Sequence, residues 1–127
     1  MTNSENGQSQ RSKPGVLHFF DGIKYGSRGI RAAFAHAEAF RQELVVFVVA
    51  VVVAVVLGDS GVERAILIGV LFPVLIAELI NTAIETVVDR ISTEHHELSG
   101  RAKDLGAAAV LLSIVGAAVV WLLVLLG

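Results

Sequence analysis

AELINTAIETVVDRISTEHHELSGRAKD, residues 77–104, begins inside an apolar run that opens near Ala65 and finishes in polar sequence. Its first half carries Glu78, Asn81, Glu85 and Asp89. At about 100° per residue these side chains share an arc of roughly 80° on a helix. One face of a membrane-length helix is therefore lined with acids and an amide. Ionisable groups at membrane depth are costly and mark function, so the rest of the chain is read as what holds this face in place.

Outward from that stretch, composition sets the class. The chain has 127 residues, 54% of them hydrophobic and 17% charged, with a mean hydropathy of +0.71. One domain is expected, and the low charge with apolar blocks of span length indicates an integral membrane protein. Cysteine is absent, which excludes disulfides and thiolate chemistry.

Residues 1–15 are polar, with Pro and Gly, and read as a disordered tail; no apolar signal-peptide core follows, so an uncleaved N-terminus is expected. From about 16 to 40, Phe19, Phe20, Ile23, Ile30 and Phe34 alternate with Lys24, Arg28 and Arg31, the pattern of an amphipathic helix in the membrane interface. Spans follow at about 41–58, 65–89 and 104–126, with a turn at Gly58-Asp59-Ser60-Gly61 and a kink expected at Pro73. Gly106, Gly116 and neighbouring alanines allow close helix packing in the third span, and Trp121 sits where an interfacial anchor would. Six Lys or Arg precede the first span and three lie in the 89–104 loop, against Arg64 alone in the 58–64 turn and none at the C-terminus. The positive-inside rule then puts the N-terminus and the second loop in the cytoplasm.

Glu85 stands about 7–8 Å of helix from Arg90, and Glu78 two turns deeper. The shallow acid meets water-borne ligands, and the deep one meets what arrives from lipid. A carboxylate such as Glu85 suits Mg²⁺, which bridges nucleotide phosphates. Glu78 is placed to act as a general base, Asn81 to orient a hydroxyl, and Arg101 with Lys103 to supply charge for a transferring phosphoryl group. Each also has a plain reading: a membrane Glu pairs with a cation or a neighbouring helix, Asp89 caps or pairs Arg90, and His95-His96 is a solvated pair. No G-x-x-x-x-G-K-[ST] loop, protein-kinase signature or G-x-S-x-G elbow occurs.

The segments EAFRQE (38–43), AELINTAIETVVDRIS (77–92) and EHHELSGRAKDLGAAAV (94–110) resemble the small trimeric prokaryotic diacylglycerol kinases. The resemblance covers roughly four-fifths of the chain. It implies an all-α homotrimer in the bacterial inner membrane, with an N-terminal surface helix, three spans and active sites shared between protomers. It implies Mg²⁺- and ATP-dependent phosphorylation of diacylglycerol to phosphatidate in lipid recycling. By position, Glu78 would be the base with Asn81 beside it, and Glu85 would bind the metal. Tyr25, Glu94, His95, His96, Lys103 and Asp104 would contact ATP, and Arg31, Glu43 and Trp121 the lipid. The family's second metal-binding Glu falls on Ala37 here, with Glu38 one residue later, a rotation of about 100°. Either a local irregularity brings Glu38 to the metal, or His36 or water substitutes. Ser27 stands where close relatives often carry Trp.

A branch of the same family phosphorylates undecaprenol, and the HELSGRAKD loop looks closer to the diacylglycerol branch. Two other classes compete: an oligomeric proton or cation pathway lined by Glu78 and Glu85, and a structural partner of a larger membrane complex.

Overall fold

The computed structural model describes residues 14–127, so the tail expected at 1–15 falls outside them but for Pro14 and Gly15. Among the described residues every regular element is a helix: α1 (Gly15–His36), α2 (Glu38–Leu57), α3 (Gly61–Gly69), α4 (Phe72–Ile91) and α5 (Glu97–Leu126). Contacts divide the chain into a first unit ending at Ala32 and a second, Ala33–Gly127.

In the first unit α1 displays aromatic and basic side chains at its surface. Phe19 and Phe20 meet edge to face at 6.0 Å, and the Arg28 guanidinium lies 5.6 Å from the centre of the Tyr25 ring. The Ser27 hydroxyl donates to the Ile23 carbonyl at 2.7 Å, the internal bond small polar residues make in helices.

The second unit opens on a break. Ala37 is extended (φ −109°, ψ 103°), so the helix expected through residue 40 stops at His36 and α2 starts afresh at Glu38. The last carbonyls of a helix have no partner within it, and here the Arg41 guanidinium accepts that duty, donating to Phe34 O at 2.9 Å and Ala35 O at 3.3 Å. The α2 helix is rich in valine, which in water would favour a strand. In lipid an isolated strand leaves its backbone unbonded, and a helix does not. Three stretches are long and apolar enough to cross a membrane: Glu38–Leu57, Gly61–Ile91 and Glu97–Leu126.

The second span starts four residues before the expected Ala65, because the turn carries a cap. The Ser60 hydroxyl accepts from the Glu63 N–H at 3.1 Å, while the Glu63 carboxylate accepts from the Asp59 N–H at 2.8 Å. Arg64 ties this turn back to α2 through a 3.1 Å bond from Nε to Val55 O. The span is then interrupted at Val70 and Leu71, just ahead of Pro73. The Leu71 N–H donates to Ile68 O, three residues back at 3.1 Å, instead of four back to Leu67 O. Leu67 is fully buried, and its carbonyl takes the Trp121 indole N–H at 3.0 Å.

Trp121 therefore fastens α5 to the interruption between α3 and α4, a role beyond that of an interfacial anchor. Trp121→Phe keeps most of the ring and removes the donor, stranding a buried carbonyl at a cost of about 1–3 kcal/mol. The midpoint of thermal unfolding in detergent should fall by several degrees. An unchanged midpoint would mean that Leu67 O has another partner.

The last helix also starts earlier than the span expected at 104. His96 caps it, Nδ1 accepting the Leu98 N–H at 3.1 Å, and Glu97 in the first turn suits the positive end of the helix dipole. Its 30 residues reach about 45 Å, longer than the ~30 Å hydrocarbon layer, so its charged first turns have room to stand in water. The buried apolar residues among those described are Ala33, Phe40, Ala54, Leu67, Ala77 and Ala117. Most large apolar side chains point outward, as a lipid environment requires.

Candidate active site

The polar face of α4 runs from buried to exposed. Glu78 and Asn81 are 6% and 8% exposed, whereas Glu85 and Asp89, further along the helix, are open. The gradient arises because α4 packs against α2 and α5, most extensively on α5, and then emerges at the end that carries the 92–96 loop.

Glu78 has a partner from α2. Its carboxyl lies in hydrogen-bonding contact with that of Glu43. The other Glu43 oxygen, Oε2, is buried without a partner. One turn beyond Glu78, Asn81 Nδ2 donates to Glu85 Oε1 at 3.5 Å, a long bond, while Asn81 Oδ1 is buried and unpaired. An unpaired buried acceptor costs about 1–3 kcal/mol, and Glu43 Oε2, on α2, is one that a ligand would satisfy. An apolar cleft of about 260 Å³ lies beside Glu43, lined by Val46, Phe47, Leu71, Val74, Leu75, Ile114 and Ala117. It is shaped and lined for hydrocarbon, with one acid at its edge.

At the other end of the face Asp89 pairs with Lys103 of α5 at 2.7 Å, rather than with its neighbour Arg90. Both groups are about half exposed, so the pair adds little stability and chiefly fixes where the ammonium stands. Val88, Asp89, the 92–96 loop, Ser99, Gly100 and Lys103 line a cavity of about 180 Å³. The same loop also lines a second cavity of about 400 Å³, together with Ile91, Leu98 and Ser99. Glu94, His95 and Asp104 are exposed at this end; the Glu94 N–H donates to Ser92 Oγ at 3.0 Å. Arg101 is engaged locally, 3.4 Å from Glu97 on an exposed helix surface.

Tyr25 and Arg31 lie exposed on α1 in the first unit. Glu38 is the first residue of α2, accepting from Gln42 Nε2 at 3.4 Å, and exposed His36 ends α1. Because Ala37 is extended, the 100° offset counted along an unbroken helix does not apply to Glu38. Among the described residues no group of three or more His, Cys, Asp or Glu is placed to hold a metal ion. The donors nevertheless fit Mg²⁺ of the nucleotide-bound kind, which takes one or two carboxylates and completes its shell with phosphates and water.

For two residues the sequence shows the position but not the partner. Asp89 is the anchor of Lys103, a role hinted at only by its place on the same face as Glu85. Gly106, buried on α5, stands directly against Asn81.

Fold and site together define a class, a small helical membrane enzyme whose polar machinery is set into its second span. The family model for prokaryotic diacylglycerol kinase matches residues 24–125. Curated proteins named diacylglycerol kinase are similar over most of the chain. The one from Escherichia coli (strain K12) is 50% identical over 111 residues, covering 87% of this chain and 91% of its own. That from Pseudomonas aeruginosa is 41% identical over 117 residues (92% and 95%), and that from Haemophilus influenzae 40% over 107 (84% and 91%). This chain belongs to the prokaryotic diacylglycerol kinase family.

Proposed function

We propose that this protein transfers the γ-phosphoryl group of ATP to the free hydroxyl of diacylglycerol, giving phosphatidate. The observation that carries the proposal is the contact between buried Glu78 of α4 and half-buried Glu43 of α2, with an apolar cleft beside Glu43 and Lys103 of α5 at the water-facing end of the α4 face. Lipid enters along the cleft with its hydroxyl towards Glu78. Glu43 holds the Glu78 carboxyl in orientation, and Glu43 Oε2 accepts a bond from the lipid's polar head. Glu78 takes the hydroxyl proton as the lipid oxygen forms its bond to the γ-phosphorus and the bond to the ADP oxygen breaks. Lys103, held by Asp89, faces the phosphates, with His95, His96, Glu94, Asp104 and Tyr25 as further nucleotide contacts and Arg31 and Trp121 on the lipid side. Mg²⁺, when bound with ATP, neutralises phosphate charge; Glu85 would hold it, with Glu38 a second donor.

The resemblance to the small trimeric kinases favours a homotrimer in which neighbouring protomers share each site. Lysine and arginine placement supports a cytoplasmic N-terminus and 92–96 loop, and the family resemblance supports the bacterial inner membrane.

Purified protein in detergent micelles, given labelled ATP and Mg²⁺, should phosphorylate diacylglycerol at a rate well above that with undecaprenol and far above that with no lipid. Faster transfer to undecaprenol would move the substrate to a polyprenyl alcohol. Ion conductance in liposomes without ATP turnover would replace the kinase with a pathway.

A further inference from the structure

Asn81 owes its place to a missing side chain on another helix. A Cβ built on Gly106 of α5 would collide with Asn81 Oδ1 and stand 3.2 Å from Asn81 Cγ and 3.5 Å from Ile84 Cδ1. In glycine that direction is occupied by a Cα hydrogen. The buried, unpaired Oδ1 therefore lies against a weak C–H donor and the bare backbone of α5, which is why the helices can approach so closely there. With Oδ1 seated on α5, the amide's other end is turned to Glu85, at 3.5 Å. Gly116, further along the same helix, has open space where its Cβ would stand, so small size on α5 is not in itself the point.

We infer that Gly106 is a positioning residue for phosphoryl transfer, acting through Asn81: its bare Cα sets the carboxamide between Glu78 and Glu85. The inference rests on the kinase reading above. A methyl at 106 must push either the α5 backbone or the Asn81 amide. The backbone lies in the most heavily packed helix pair of the molecule, whereas the amide is held by one long bond. The amide moves and loses its register with Glu85. Misplacement by about 1 Å at a reacting centre costs on the order of 10²-fold in rate.

The test is a double-mutant cycle in the full-length protein, with kcat for ATP-dependent lipid phosphorylation and the thermal unfolding midpoint measured for each variant. Gly106→Ala should lower kcat by about 10- to 100-fold with little change in KM for the lipid. In an Asn81→Ala background, where the amide is gone, the same glycine substitution should change kcat by less than about twofold. An equal loss in both backgrounds, or wild-type kcat in Gly106→Ala, would overturn the inference. Should Gly106→Ala fail to fold, Asn81→Ala must restore folding in the double variant; a double variant that also fails sinks the proposal, since the obstruction then lies elsewhere. If the wild-type protein shows no lipid-dependent turnover, the kinase reading fails by itself, and the unfolding midpoints still report whether residues 81 and 106 are coupled.

Discussion

Glu78→Gln should reduce phosphoryl transfer by on the order of 10²–10⁴-fold, the range ascribed to a positioned general base. The amide matches the carboxyl in size and can still bond to Glu43, so packing at this buried point of α4 is retained. What it cannot do is accept the hydroxyl proton. The expected signature is a collapse of kcat with an unfolding midpoint close to that of the parent. Lipid should still bind, because the cleft beside Glu43 is untouched. Ordinary turnover in this variant would remove Glu78 from its role as base.

The second large effect concerns Mg²⁺. Glu85 sits at the exposed part of the polar face, held at one oxygen by Asn81. Glu85→Gln removes a hard anionic ligand and should weaken apparent Mg²⁺ affinity by about 10- to 100-fold, the usual cost of disturbing a ligand and its support. Activity should then recover in part as Mg²⁺ is raised, which a defect in lipid binding would not do. Glu38→Ala is the companion measurement. With the helix interrupted at Ala37, Glu38 is free of the register of α1, and its loss should also raise the Mg²⁺ requirement, though by less. A titration that overlays the parent's for Glu38→Ala would take that residue out of the metal site.

Much of this architecture is legible in the residues themselves. The acidic face of α4 follows from spacing alone, and the spans from apolar length; both appear in the structure as an ordered face and three crossing-length helices. Helix ends were harder to read, for identifiable reasons. The run ELSGRAKD looks like a loop because it is charged, yet His96 caps a helix through it and the charges stand beyond the apolar zone. Ser60 and Glu63 carry the spacing of a capping box, a signal present in the sequence and outweighed by the pull of Ala65 as the first of an apolar run. The break at Ala37 has no local cause, since alanine is the best of helix formers; what offsets it is Arg41 reaching back to the carbonyls of residues 34 and 35. The Glu43–Glu78 contact and the seating of Asn81 on Gly106 belong to how α2, α4 and α5 meet, and no one-dimensional pattern encodes that.

So few side chains are enclosed by the protomer itself that its cohesion cannot come from sequestering oil away from water. Among the described residues, four of the six enclosed apolar ones are alanines. The surrounding amphiphile, with its chain length and lateral pressure, is then a structural component on the same footing as the helices. A figure for the robustness of this enzyme has meaning only together with the name of the detergent or lipid in which it was measured.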